Sequence, residues 1–257
     1  MTTRIVLVAC MGVLLAGCFD NMSAPTDAVT VTSLEQLAAT NRAAVQRLIL
    51  RGNGKTVSAA DLAGMPVLET LDLSENALAE VPEAVYAQKN LEEFYFARNA
   101  LAKVPVRLGE LANLDYINLD DNKLESAEGL GQFPKLMWLR LNGNALKEIP
   151  ASLGTLKHLQ RFYASRNQIK EIGEAVRQWT ELEDLVLDGN PISTVPEWLV
   201  DLPKLKGVSL NGTRVTKLPA DLGKWRKLDY LSLGGCAFPA DEMKRIRAAL
   251  PDVAIVF

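Results

Sequence analysis

The amino-acid sequence predicts an α/β solenoid, a curved stack of short turns with a parallel β-sheet along its concave side. Three observations predict it. A nine-residue pattern recurs at a spacing of about 23 residues from Val45 onward. Within each copy two apolar side chains flank a polar one, so they share one face of a short strand while the residue between them faces the other way. An asparagine closes most copies, at Asn53, Asn76, Asn99, Asn122, Asn144, Asn167 and Asn190.

The copies begin at Val45 (VQRLILRGN), Leu68 (LETLDLSEN), Leu91 (LEEFYFARN), Leu114 (LDYINLDDN), Leu136 (LMWLRLNGN), Leu159 (LQRFYASRN), Leu182 (LEDLVLDGN), Leu205 (LKGVSLNGT) and Leu228 (LDYLSLGGC). The asparagine amide both donates and accepts, so it can close the bend and satisfy backbone groups otherwise buried unpaired. The seven asparagines are expected to stack as a ladder. Thr213 and Cys236 hold that slot in the last two copies, where a hydroxyl or thiol makes only part of those bonds, so Cys236 reads as a buried structural thiol. Pro82, Pro105, Pro150, Pro196 and Pro219 recur on the returning arm, where a fixed φ suits extended or 3₁₀ turns. Ala127 and Gly173 replace proline in two units, which should loosen those turns.

The second halves of the units (NALAEVPEAV, NALKEIPASLGTL, TRVTKLPADLGKW) complete the pattern. It resembles the leucine-rich repeat family, in its LPxxLxxL class, over essentially all of the chain from Val45 onward. The resemblance implies a right-handed curved superhelix that acts as a binding module. One unit cannot bury its own apolar face, so both ends of the stack need shielding. Ser33 with Gln36 forms a capping-box pattern that opens a short helix through about Asn41. At the other end FPADEMKRIRAALPDVAIVF offers a helix with Met243, Ile246 and Leu250 on one side, then a strand. The repeat domain with its caps is therefore assigned to residues 33–257.

Ahead of it, Arg4 precedes an uncharged run from Ile5 to Gly17, too short to span a bilayer as a finished helix and typical of an export signal. The next residues, Leu15-Ala16-Gly17-Cys18, resemble the lipobox of bacterial lipoproteins at all four positions. The resemblance implies that residues 1–17 are a signal peptide cut before Cys18. It also makes Cys18 the lipidated mature N-terminus, held in the membrane by several acyl chains. Residues 18–32 read as a flexible tether. Phe19, rather than aspartate, follows the cysteine, which in Gram-negative members of that family favours the outer membrane. Cys10 leaves with the signal and Cys18 is modified, so Cys236 stands alone and no intramolecular disulfide is expected.

The residues between the strand leucines should line the concave face. In consecutive copies they include Tyr95, Tyr116, Trp138 with Arg140, and Arg161 with Tyr163, and Arg98 and Arg166 follow nearby. Aromatics beside arginines combine large area with satisfiable polar tips, the residue types enriched where partners bind. These eight residues are the candidate partner-binding site, for a protein ligand or alternatively a glycan such as cell-wall material. Acidic residues flank it, among them Asp72, Glu93, Asp115 and Asp120 before and Asp184 and Asp188 after. Aromatics on a concave sheet can equally stack on each other and serve as scaffold. Trp179 and Trp225 stand where other copies have leucine and read as core, with Trp198 packing at the rim. Phe94 and Phe96 overfill two core slots in one copy, and local bulging is expected there.

Several function classes are excluded. A net charge of -3 argues against a nucleic-acid partner, which needs clustered Lys and Arg. The single histidine, His158, makes no zinc cluster, and no serine or cysteine sits in a nucleophile motif, so neither catalysis nor a cofactor is expected. His158 reads as a surface residue. Repeated acidic pairs such as Asp120-Asp121 read as a solvated charged face rather than a metal or acid/base site.

Overall fold

The computed structural model describes residues 28–52 and 58–257. The lipobox with Cys18, and Asn53, lie outside these residues. Among them, eleven strands form one parallel sheet in strict sequence order. They are β1 (Val29–Val31), β2 (Val45–Ile49), β3 (Thr70–Asp72), β4 (Glu93–Tyr95), β5 (Tyr116–Asn118), β6 (Trp138–Arg140), β7 (Arg161–Tyr163), β8 (Asp184–Val186), β9 (Gly207–Ser209), β10 (Tyr230–Ser232) and β11 (Ala254–Val256). Every turn returns through irregular backbone and, in eight turns, a short 3₁₀ segment, so from β3 to β10 each strand lies beside the next at the same register.

The strand leucines form a single continuous core, from Val31 and Leu48 through Leu139 and Leu185 to Leu231 and Leu233. Proline governs the returning arm as its fixed φ predicts. The 3₁₀ segments that follow Pro82, Pro105, Pro150 and Pro196 are five residues long, whereas those in the units with Ala127 and Gly173 shrink to three. Trp179 and Trp225 are fully buried, and Trp198 is half-buried against the same core. The indole N–H of Trp179 donates to the Leu153 carbonyl at 2.7 Å, while that of Trp225 is buried without a partner.

The asparagine ladder links neighbouring turns. Each amide nitrogen donates to a carbonyl of its own turn and to the matching carbonyl of the preceding one. Asn99 reaches Leu73 O, Asn122 reaches Phe96 O, Asn144 reaches Leu119 O and Asn167 reaches Leu141 O, each at 2.9 Å. The amide oxygen accepts from the preceding turn at a second point, Leu101 N for Asn122 and Leu124 N for Asn144, both at 3.0 Å. Thr213 keeps one such bond, to Leu210 O at 2.8 Å. Cys236 is half-buried rather than buried, with its thiol 3.1 Å from the same carbonyl.

The residue just before each ladder position adopts a left-handed conformation. Gly143 and Gly189 do this without strain, but Glu75, Arg98, Asp121 and Arg166 hold φ of 63°, 53°, 51° and 55° with a side chain attached. Each such residue costs roughly 1–2 kcal/mol, a strain the surrounding stack enforces.

Four expectations need correction. The tether does not extend to residue 32, because Val29–Val31 pairs with β2 as β1 and shields the first full turn. The first helix, α1 (Leu34–Ala38), ends earlier than Asn41, which instead caps the 3₁₀ turn Arg42–Ala44 by accepting from Ala43 N. Its capping box is offset: Ser33 accepts from Gln36 N, but the Gln36 side chain accepts from Thr32 N, one residue early. Phe94 and Phe96 produce no bulge, since β4 stays in register with both neighbours. The two rings pack 5.6 Å apart inside the core and take up the extra volume there. The expected terminal cap is present as α3 (Ala240–Ala249) and β11, with Ile246 and Leu250 buried. A short helix, α2 (Ala59–Leu62), capped by Ser58 and Asp61, has no counterpart in the sequence reading.

Two outcomes follow for stability. Asn122→Ala leaves the Leu101 N–H without its acceptor and removes one of the two amide donors from each of the Phe96 and Leu119 carbonyls, and is expected to cost about 2–4 kcal/mol, against about 1 kcal/mol for Thr213→Ala. Urea titration of both variants checks this, and equal losses contradict the ladder. At Arg166, glycine relieves the left-handed strain and leaves stability unchanged or raised by up to about 1 kcal/mol. Valine there deepens the strain and lowers stability by about 1–2 kcal/mol. Melting curves for the two variants should move apart in that order.

Candidate functional site

Two side-chain columns run along the concave face because alternate residues of each strand point that way. The register places Glu93, Tyr116, Trp138, Arg161, Asp184, Gly207 and Tyr230 in one column, and Tyr95, Asn118, Arg140, Tyr163 and Val186 in the other. Neighbouring strands in a sheet lie about 4.8 Å apart, so large side chains in one column must touch.

They touch in an unbroken chain. The chain begins across the two columns, where the rings of Tyr95 and Tyr116 lie 4.7 Å apart, and continues along the first, where those of Tyr116 and Trp138 lie 5.7 Å apart. The Arg161 guanidinium sits 4.0 Å above the Trp138 ring and its Nε is 3.1 Å from Asp184. Asp184 in turn accepts from the Tyr230 hydroxyl at 3.2 Å. That last bond crosses β9, and only a glycine permits it: a Cβ at Gly207 would lie 2.2 Å from the Tyr230 ring. Beside this chain, Arg140 grips Asp120 through Nε at 2.9 Å and Nη2 at 2.8 Å and lies 5.6 Å from the centre of the Tyr163 ring.

Six of the eight candidate residues therefore form one patch: Tyr95, Tyr116, Trp138, Arg140, Arg161 and Tyr163. Tyr116 is nearly covered, at 7% exposure, by the rings on either side, while Trp138, Tyr95 and Tyr163 are half-exposed. Burial, with the Asp120 charge adding, pushes the Tyr116 hydroxyl up to about 12, and burial likewise raises Tyr95 and Tyr230, so all three stay protonated donors.

Arg98 and Arg166 do not join the patch. Their left-handed backbone swings the side chains off the sheet onto the turn rim. There Arg98 Nη1 is 2.8 Å from Glu75 and Arg166 Nη2 is 3.0 Å from Asp121. The acidic residues do more than flank the site, since Asp120 and Asp184 neutralise its arginines from within.

The sequence reading missed a second ladder under the patch edge. Ser74, Asp120, Asn142, Asp188 and Asn211, each two residues before a ladder position, accept from the next turn's backbone: Ala97 N, Asn142 N, Ser165 N, Asn211 N and Gly234 N. The recurrence of short polar side chains at that position is the signal that could have revealed it. Asp120 thus has two tasks, closing a turn and holding Arg140.

His158 is exposed and lines an open concavity of about 360 Å³ with Glu92, Asp115, Lys135 and Glu181 at the edge where the strands begin. Burial, with Glu92 and Glu93 nearby, pushes Asp115 up to about 6. Among the described residues no group of three or more His, Cys, Asp or Glu side chains is arranged to hold a metal, and no helix is long and apolar enough to cross a membrane. The patch offers ring faces, hydroxyl donors and neutralised guanidinium groups, which suits association rather than bond making.

Comparison with known proteins gives the same architecture. The family model described as "Leucine-rich repeat and WD repeat-containing protein 1, LRR" matches residues 107–221. Among curated proteins, podocan-like protein 1 of Mus musculus is 33% identical over 141 residues, which are 50% of this chain and 24% of that protein. The volume-regulated anion channel subunit LRRC8A of Rattus norvegicus is 35% identical over 86 residues, 32% of this chain and 11% of that protein. The chain therefore spans a quarter or less of these two relatives. Among solved structures, an LRR protein of Leptospira interrogans aligns with a TM-score of 0.66 and 25% identity, covering 90% of this chain and 70% of that one. An internalin of Listeria monocytogenes aligns with a TM-score of 0.72 and 21% identity, covering 89% of this chain and 65% of that one. A repeat in register through nine copies, an asparagine ladder, an open parallel sheet and these likenesses together identify the fold as a leucine-rich repeat solenoid.

Proposed function

We propose that this chain is a lipid-anchored binding protein of the bacterial envelope that presents its concave patch to a protein partner and performs no chemistry on it. The observation that carries the reading is the half-exposed aromatic and arginine chain from Tyr95 to Arg161, held rigid by stacking and by buried carboxylates. Rigid aromatic side chains lose little entropy on contact, and arginines already neutralised carry a smaller desolvation cost into an interface. Solenoids of this kind use their concave surfaces for extended contact, and the bacterial leucine-rich repeat structures it resembles support a scaffold role.

A protein ligand fits better than a glycan. Sugar rings stack on open aromatic faces, whereas one face of Trp138 is covered by Arg161 and Tyr116 is almost wholly buried. The anchor is the lipidated Cys18 after removal of residues 1–17, with the outer membrane as its place in a Gram-negative cell. Arg98 and Arg166, displaced to the rim, serve as peripheral contacts that tune association rather than hold the partner.

The test is cross-linked co-purification from envelopes, comparing wild type with Trp138→Ala/Tyr163→Ala and with a control, Lys204→Ala/Lys224→Ala, remote from the patch. All three must fold and label with fatty acid, and Cys18→Ser must abolish the label. A partner captured by wild type and the control is expected to be lost, at least about tenfold, from the patch variant, as for a hot spot near 1.4 kcal/mol or more. Equal capture by all three makes the aromatics scaffold and overturns the reading. Release by soluble glycan fragments instead moves the ligand to the sugar class.

A further inference from the structure

The arginines of this surface are almost all matched. Among the described residues, every arginine but one is engaged by a carboxylate, a backbone carbonyl or an aromatic ring. Arg42 binds carbonyls of the α2 turn, Arg226 binds Ala249 O, Arg247 lies over Phe257, and the others pair with acids. The exception is Arg214. Its side chain is exposed and its guanidinium has no hydrogen-bond, ion-pair or ring partner among the described residues.

Its surroundings make the exception informative. Arg214 lines an open concavity of about 500 Å³ on the returning flank, together with Lys147, Lys170, Gln168, Ser193 and Pro191. Lys147 and Lys170 are also exposed and without an ion pair. They occupy equivalent positions in consecutive turns, each three residues after a ladder asparagine, so the solenoid itself brings them side by side. Among the described residues no carboxylate lines the concavity. Glu148 and Glu171, next in the chain to the two lysines, are not among its lining residues. Three uncompensated cations converging with an amide and a hydroxyl raise the local potential and favour a multivalent oxyanion, which they can neutralise by charge-assisted hydrogen bonds. Pro191 adds an apolar wall for the group that carries the anion.

We propose that this flank concavity is a binding site for a phosphate group, contacted by Lys147, Lys170 and Arg214 with Gln168 and Ser193 as neutral donors. It is separate from the concave patch, since its residues follow the ladder asparagines rather than occupying the strands. The phosphate is borne either by a small soluble molecule or by a phospholipid headgroup.

The test uses the full chain and two probes at low ionic strength: inorganic pyrophosphate by calorimetry, and sedimentation with phosphatidylglycerol vesicles against phosphatidylcholine vesicles. Lys147→Gln/Lys170→Gln/Arg214→Gln is compared with Lys89→Gln/Lys204→Gln/Lys224→Gln, which removes the same charge from lysines already paired with Glu110, Glu181 and Asp201. The flank variant is expected to weaken pyrophosphate binding by about tenfold or more, the control by less than about twofold, and Lys147→Arg/Lys170→Arg to keep wild-type affinity. Binding of both probes, competing with each other, assigns a phosphate from either source. Preference for phosphatidylglycerol vesicles with no pyrophosphate binding assigns the headgroup. Absence of both, or equal losses in the flank and control variants, overturns the proposal.

Discussion

Every turn of this molecule depends on one requirement: a carbonyl turned toward the core must find a donor, and the donor comes from the next turn. The asparagine amide meets it in both directions, because it donates to two carbonyls and accepts from an N–H in a single planar group. Neither threonine nor cysteine can do this. The bonds also set the stacking distance, so the columns on the concave face, and with them the aromatic chain, inherit their spacing from the ladder. Where the ladder weakens at Thr213 and Cys236, the terminal cap supplies equivalents. Arg245 donates to the carbonyls of Leu218, Pro219 and Ala220, and Glu242 accepts from Leu218 N. A side chain pair of α3 thus does for the returning arm what an asparagine does for the bend.

The period-two strands, the ladder and the convex tryptophans were legible in the sequence because each follows from one residue type at one recurring position. What was not legible is conformational or cooperative. Nothing in the letters of Arg98 or Arg166 announces a left-handed backbone, since in other turns glycine holds that position and only the stack forces a larger residue into it. Val29–Val31 reads as tether because three residues of a strand have no pattern of their own and become β1 only by pairing with β2. Phe94 and Phe96 looked too large slot by slot, yet volume is shared across a core and the two rings fill it together. Of the site, the aromatic column could be read directly, while the bridge from Tyr230 over Gly207 to Asp184 could not, because it joins residues two strands apart.

The concave face holds its charges expensively. Asp120 and Arg140 are both largely buried, and burial raises the Asp120 carboxyl even against the arginine that faces it. An ion pair in that position adds little net stability over apolar side chains of the same shape, and four left-handed non-glycine residues on the adjoining rim add strain. A fold that needed only to stack could dispense with both. Their presence on the two surfaces nearest the aromatic chain is what the proposed binding role, with specificity set above stability, would require.

The molecule thereby divides its electrostatics by face. On the concave side the arginines are neutralised in place, so a partner of the kind proposed would meet a surface whose polar groups are already satisfied, and contact would be governed by shape and ring area. On the returning flank Lys147, Lys170 and Arg214 keep their charge uncompensated, which acts at the range of a Debye length, roughly 8 Å at physiological salt, before any contact forms. On the proposed reading, short-range complementarity and longer-range attraction thus fall to different columns of the same repeat. The separation follows from the register: strand slots and post-ladder slots recur on different sides of every turn, so one can be selected for packing without disturbing the charge of the other.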